Sequence, residues 1–362
     1  MGIEFQKMIP AETVVWDPET DETLVCLDVH QETHDVKSFT FASPEGKRFD
    51  FDAGQYFLFD FPIGPDGESR CYSISSSPHR ENAFTVTVKR VPGGKVSNWL
   101  HDNLVAGTTV KGQGPLGHFI PPKGQKTKLL LLSGGSGITP VMSITRDLAD
   151  RYEASDIVFL HAARTPADLI FRNDLSGLAA RMKGLRLQFL PETVAGELSW
   201  PGLTGRISPE FMKLAVPDIA DRVVMCCGPA PFMAAARSIT AALGVPSSNY
   251  IEESFDAAVI DEPDLDLDLE VQPAGKIYQV EFSKQKKTLA VCSDQTVLAA
   301  AKKGSIRLPS SCANGVCGTC KSKLVSGSVE MNHNGGIRQR EIDAGMFLPC
   351  CSKPLSDLVI ER

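Results

Sequence analysis

No run of about eighteen apolar residues occurs in this 362-residue chain, so a membrane-spanning helix is not expected. The start, MGIEFQKMIPAETVVW, lacks the basic-then-apolar pattern of an export signal, and the protein is expected in the cytoplasm. A basic surplus is missing too: 37 Lys and Arg stand against 44 Asp and Glu, and the net charge of −7 argues against a nucleic-acid partner. There is no internal repeat, and no ligand pattern of a globin, a haem site or a Rieske centre. What remains is an ordinary globular composition, 42% hydrophobic and 22% charged, long enough for two or three domains, of which three is the working count.

The charge is unevenly spread. From Ala274 to Arg362 there are 13 Lys and Arg against 7 Asp and Glu, a surplus of +6, which leaves −13 on the rest. The texture changes along the chain as well. Residues 24–124 read as short alternating strands (VKSFTF, QYFLFDF, FTVTVKR, TTVKGQG) between turn residues, the signature of an antiparallel β-barrel. Residues 125–255 carry compact apolar runs (LLLLS, IVFLHAA, LRLQFL, VVMCCG) separated by helical stretches, which read as the buried parallel strands of an α/β domain. Residues 256–274 hold seven acidic residues, two prolines and no basic residue, and read as an extended linker. Residues 275–362 form a small α+β piece with two alternating strands, a helix at TVLAAAKKG and a set of close cysteines. Residues 1–23 carry no interpretable pattern.

The strongest local signal is CANGVCGTC. Cys312, Cys317 and Cys320 stand at C-x4-C-x2-C and Cys350 follows thirty residues later, the ligand spacing of plant-type [2Fe–2S] clusters. Each iron wants tetrahedral sulfur, two positions from bridging sulfides and two from the protein, hence four thiolates. Gly315 and Gly318 let the loop wrap tightly and aim N–H groups at the sulfurs. Zinc is the alternative metal, since C-x2-C suits it, although zinc usually takes a second close pair. Cys351 competes for the fourth position; LPCCSKP resembles the closing stretch of plant-type ferredoxins, and on that likeness Pro354 selects Cys350. Cys26 and Cys292 read as small buried hydrophobes.

In LLLLSGGSGITPVMS a strand runs into a glycine turn and then a helix, a place where free N–H groups can receive a pyrophosphate. Gly134, Gly135 and Gly137 permit close approach, and further on VVMCCGPAPFM ends another strand at Cys-Gly-Pro. Taken in order, RCYSISSSP, GGKVSNWL, GPLGHF, GGSGITP and CCGP resemble the ferredoxin-reductase family of flavin barrels joined to nicotinamide domains.

That resemblance implies roles residue by residue. Arg70 would pair with a flavin phosphate, Tyr72 would cover the isoalloxazine face and Ser73 would hydrogen-bond near flavin N5. Lys89 joins the flavin set, and Gly93, Gly94, Val96 and Ser97 would supply donors to the phosphates. Thr139, Pro140, Cys227, Gly228 and Pro229 would bind the nicotinamide nucleotide at the carboxyl edge of the sheet, with Cys226 facing the core. IEESF is similar to the family's closing Glu-x-Phe, so Glu253 and Phe255 would border the flavin. Ser73, Cys227 and Glu253 are thereby the expected residues at the reacting atoms.

The implied activity is an electron relay. A nicotinamide gives up two electrons as one hydride, whereas a [2Fe–2S] cluster takes one at a time, and a flavin can exchange either. FAD is favoured, with FMN the alternative; NADH is favoured, with NADPH the alternative, because Arg164 after IVFLHAA could meet a 2′-phosphate or the adenosine edge. The module order, reductase first and ferredoxin last, resembles the reductase components of two-component Rieske oxygenases, and KRVPGGKVSNWLHDNL is similar to those serving glycine betaine and related quaternary-ammonium demethylases. The partner implied is a terminal oxygenase. Reductases of hybrid-cluster protein are also similar, and a stand-alone flavin or quinone reductase is the competing class. The basic final domain predicts either docking to an acidic patch on the partner or folding back onto the acidic reductase.

Overall fold

Phenylalanine organises the first domain. The computed structural model describes residues 14–64, 67–80, 82–122, 128–151, 155–197, 199–255, 275–304, 306, 308, 315, 318, 320–333 and 336–362. Strands β1 (Thr23–Thr33), β2 (Val36–Ala42), β3 (Tyr56–Phe61), β4 (Glu68–Ser73), β5 (Phe84–Lys89) and β6 (Thr109–Leu116) form one antiparallel sheet in the order β4-β3-β6-β1-β2-β5. A bridge between Ile74 and Val86 joins its two ends and closes the barrel. Inside, Phe57 stacks on Phe84 at 4.1 Å between ring centres, and Phe41, Phe49 and Phe59 surround them. Each ring taken out of water contributes roughly 1.5–3 kcal/mol.

Trp16 also belongs to this core. It is buried against Phe49, and its indole N–H donates to the Gly114 carbonyl at 2.8 Å. Trp16, from the stretch to which the sequence assigns no pattern, therefore plugs the barrel. Helix α1 (Lys95–Asn103) follows β5.

The second domain is a five-stranded parallel sheet of β7 (Lys128–Gly134), β8 (Asp156–Ala163), β9 (Leu185–Pro191), β10 (Val223–Cys227) and β11 (Tyr250–Glu253), in the order β11-β10-β7-β8-β9. Its strands are apolar on both faces because both are covered. Leu129, Leu131, Phe159 and Cys227 face α2 (Ile138–Asp150), α3 (Arg172–Arg181) and the barrel, whereas Leu130, Leu132, Val158 and Cys226 face α4 (Pro209–Ala215) and α5 (Ala230–Ala242). Strand order reverses between β7 and β10, which opens a crevice at their carboxyl ends.

The third domain has a mixed sheet, β13-β12-β18-β14-β16, built from β12 (Ile277–Phe282), β13 (Lys287–Cys292), β14 (Ser322–Ser326), β16 (Met346–Phe347) and β18 (Leu358–Glu361). A second ribbon pairs β15 (Val329–Met331) with β17 (Ser352–Pro354), and helices α6 (Val297–Lys303) and α7 (Gln339–Asp343) complete this β-grasp-like unit. Thr296 caps α6 by accepting from the Ala299 N–H. The domain rests on the barrel, where Arg338 donates to the Asp21 carbonyl at 3.2 Å and Arg340 pairs with Glu22 at 3.7 Å. Part of its basic charge is thus used within the chain. The linker expected at 256–274 lies outside the described residues. Among the described residues no helix is long and apolar enough to cross a membrane.

Candidate functional site

The barrel opens along the edge strand β4. Side chains alternate there, so Arg70 and Tyr72, registered against Phe59 and Phe57, turn to the inner side. They and Ser73 form one wall of a cavity of about 310 Å³. Lys89 at the end of β5 and Gly94, Val96 and Ser97 at the start of α1 form another, and Phe255, half exposed, and Thr139 close it.

The lining has a flat apolar part and a cationic part. Tyr72 packs on Phe59 at 6.1 Å, and burial lifts its phenol above the usual range, so it is neutral. Arg70 is held by Glu68 at 3.2 Å and by the Ser69 carbonyl, and Lys89 by Asp35 at 3.1 Å. Helix α1 begins at Gly94 with no side chain capping its first N–H groups, a ready seat for phosphate oxygens. A side chain at Gly94 would press on Ser97 Oγ at 2.7 Å. Gly93 sits at the turn with φ +73° and is exposed, outside the cavity wall. A planar ring with a phosphate tail fits this cleft.

From the other side the crevice of the parallel sheet meets the cavity. Gly134 ends β7, Gly135 turns with φ +52°, and Gly137 leads into α2, whose first turn holds Thr139 and Pro140. The two switch-point loops touch: a Cβ on Gly137 would collide with the Cys227 carbonyl, and one on Gly228 would lie 3.0 Å from the Gly134 nitrogen. Pro229 crowds Gly134 in the same way, at 3.1 Å. These glycines exist because backbone approaches backbone here.

One level of the sheet carries the polar groups. Glu253, Cys227, Ser133 and His161 occupy adjacent positions on β11, β10, β7 and β8. Ser73 Oγ, from the barrel, donates to Glu253 Oε2 at 3.2 Å. Burial raises the Glu253 carboxyl to about 7, with the Ser73 hydrogen bond pulling the other way. Ser133 Oγ lies 2.9 Å from His161 Nδ1, and full burial pushes that imidazole down to about 3, so it stays neutral. Sequence reading missed Ser133 and His161; the register of the parallel strands is the signal that places them beside Cys227. Arg164 is taken up by carboxylates, Asp168 at 2.6 Å and Asp35 at 3.5 Å, so its charge is already met within the protein.

In the third domain Cys320 and Cys350 are buried in one small apolar group with Leu298, Ile337 and Leu348. The Gly315 N–H donates to Cys350 Sγ at 3.3 Å, the kind of contact that stabilises a thiolate. Gly315 and Gly318 have φ +77° and +66°, as a tightly wrapped loop requires. Cys351 is only half-buried, and its Sγ donates to the Leu348 carbonyl. Cys312 and Cys317 lie outside the described residues. Cys26 is fully buried, with its thiol pushed up to about 11, while Cys292 is half-buried. The donor set fits soft metal chemistry.

Comparison with known proteins agrees with this geometry. The family models of an oxidoreductase FAD-binding domain, an oxidoreductase NAD-binding domain and a 2Fe-2S iron-sulfur cluster binding domain match residues 24–120, 131–238 and 280–355. The glycine betaine monooxygenase reductase subunit of Chromohalobacter salexigens is 38% identical over 362 residues, covering 97% of this chain and 98% of that one. Stachydrine N-demethylase reductase subunit Stc4 of Rhizobium meliloti is 36% identical over 340 residues, 94% of this chain and 96% of that one. Among solved structures, phthalate dioxygenase reductase superposes with a TM-score of 0.57 at 23% identity over 94% of this chain and 97% of that one, and so shares the fold.

Proposed function

Because this chain belongs to the family of three-domain reductase components of oxygenase systems, with FAD-binding, NAD-binding and [2Fe–2S] domains, we propose that its terminal acceptor is an oxygenase that demethylates a quaternary ammonium compound such as glycine betaine. The protein is an oxidoreductase that moves electrons from NADH through FAD to the iron–sulfur cluster and on to the oxygenase. Cysteines clustered at metal-binding rather than disulfide spacing suit the cytoplasm, the compartment we infer.

The observation that carries the residue assignment is the meeting of Ser73, Glu253 and Cys227 at the join between the flavin cavity and the switch-point crevice. Bound flavin supplies the exchange between a two-electron donor and a one-electron acceptor. The chain's own residues do the rest. Arg70, Lys89 and the uncapped start of α1 balance phosphate charge, and Tyr72 covers the ring. Thr139 and Cys227 flank the nicotinamide, with Gly134, Gly135, Gly137, Gly228 and Pro229 letting its pyrophosphate approach the backbone. Ser73 offers its hydroxyl at the hydride-accepting edge, and Glu253 orients that hydroxyl and holds a proton near neutral pH. Phe255 shields the junction from water. Cys312, Cys317, Cys320 and Cys350 ligate the irons, and Cys351 does not.

The test is reconstitution. The purified chain, mixed with NADH and a glycine betaine oxygenase component, should release formaldehyde from glycine betaine at a rate limited by the added reductase. Ferricyanide reduction without any formaldehyde from quaternary ammonium substrates would assign the acceptor elsewhere.

A further inference from the structure

On β3 the side chains alternate. Phe57, Phe59 and Phe61 enter the barrel core, while Leu58 and Asp60 face outward. Asp60 is exposed, as an outward position should be, yet Leu58 is only 3% exposed. The iron–sulfur domain covers it: a methyl group on Gly318 would lie 3.3 Å from Leu58 Cδ2. Gly318 stands between Cys317 and Cys320, within the ligand loop. Leu58 is registered opposite Cys71 of β4, which lines the flavin cavity together with Arg70, Tyr72 and Ser73. One pair of strands therefore borders both the cavity and the described part of the ligand loop.

Residues 336–338 tie the described part of this loop to the barrel. Gly336 N–H donates to the Gly315 carbonyl at 2.9 Å, and Ile337 packs with Cys320 and Cys350. Arg338 then turns away into the barrel, where its Nη2 donates to the carbonyls of Asp21 at 3.2 Å and Gly112 at 3.4 Å. Its backbone N–H donates to Glu341, which pairs at 2.6 Å with Lys321, the residue after Cys320. Arg338 is 5% exposed, and its Nε has no partner among the described residues. A guanidinium buried at that cost in desolvation marks a position where geometry matters.

We propose that Arg338 is the positioning residue of the flavin-to-cluster step, fixing the ligand loop against the Leu58–Cys71 rung, through which the electron crosses. The inference rests on the relay described above. Each crossing takes one electron from the reduced flavin and gives it to the oxidised cluster; two crossings discharge the pair delivered by one NADH, and no atom passes between the domains.

The experiment uses the full, cofactor-loaded chain and compares it with Arg338→Ala, Arg338→Lys and Leu58→Ala. Ferricyanide reduction by NADH reads the flavin, single-turnover bleaching of the cluster reads the crossing, and small-angle X-ray scattering of the oxidised protein reads domain docking without turnover. Arg338→Ala is expected to slow cluster reduction at least tenfold and to enlarge the radius of gyration, with ferricyanide reduction within twofold of the unaltered chain. Arg338→Lys, which keeps the charge but loses the fork, is expected to fall between. Leu58→Ala leaves the ligand loop untouched and is expected to slow the crossing about threefold with unchanged cluster content. Cluster reduction within twofold of normal in both Arg338→Ala and Leu58→Ala would overturn the inference alone. An unaltered chain that cannot reduce its own cluster from NADH would overturn the relay and this inference together.

Discussion

The barrel has two docking surfaces, and they are built differently. Toward the nicotinamide domain it shares a core: Val36, Ala53 and Phe119 pack with Leu131, Ile138 and Ile144, and Ser143 and Arg146 each donate to barrel carbonyls at 2.7 Å. Arg146 also lies over the Phe171 ring at 4.7 Å. Toward the iron–sulfur domain the contacts named above are polar, centred on Arg338 and Arg340, with Leu58 under the ligand loop. The chemistry explains the contrast. Hydride transfer needs reacting atoms at contact distance, which a rigid shared core provides. A single electron tolerates a gap, so a small latch suffices and the domain keeps the rest of its surface for a partner.

The comparison can be broken most severely at the cluster itself. Cys350→Ser should abolish cluster-dependent reduction of cytochrome c, a fall of at least a hundredfold, while ferricyanide reduction through the first interface persists. Cys351→Ser should retain both activities, because Cys350, not Cys351, accepts the Gly315 N–H. Iron content and the visible spectrum check the pair.

Next in size is Trp16→Ala, which should cost about 3–5 kcal/mol by emptying a buried aromatic site in the barrel. Trp16 anchors the segment that presents the Asp21 carbonyl to Arg338, so thermal unfolding should shift and docking by scattering should weaken together.

Glu253→Gln sharpens the first interface. It keeps an oxygen for Ser73 but removes the proton that titrates near pH 7, so NADH-driven flavin reduction should slow by about tenfold at most and lose its bend near neutrality. The sign for stability is fixed by burial. The folded chain holds this proton more tightly than the unfolded one, so stability contributed by Glu253 is present below about pH 4.5 and is lost as pH rises through about 7. Chemical denaturation of the flavin-free chain across that window, beside Glu253→Gln, checks it.

The smallest effect is expected from salt. The Arg340 and Glu22 side chains are both partly exposed, so that pair is worth about 1 kcal/mol at most, and Arg338 binds neutral carbonyls. Flavin-to-cluster transfer should therefore change less than threefold between roughly 50 and 500 mM salt.

The contrast between the two interfaces also decides what was legible in the sequence. β2, β3, β5 and β6 announce themselves because each buries one face in a single core, and β7 to β10 because a parallel sheet buries both. β4 was visible only through RCYS, since its residues are half-buried against groups that belong to other parts of the molecule. β1 and Trp16 went unread because six polar or charged positions dilute the strand's alternation and nothing local explains a lone tryptophan. Arg338 could not be read at all: its acceptors are backbone carbonyls 317 and 226 residues away. The iron–sulfur domain was legible because the spacing of Cys312, Cys317 and Cys320 is a short-range property.

The relay is tested most directly by mixing the full chain anaerobically with NADH and freezing samples in time for low-temperature electron paramagnetic resonance. Loss of the yellow flavin absorption is expected to be followed by the signal of a reduced [2Fe–2S] cluster. Zinc in place of iron, or complete flavin reduction with no cluster signal at any time even after a downhill acceptor is supplied, would contradict it.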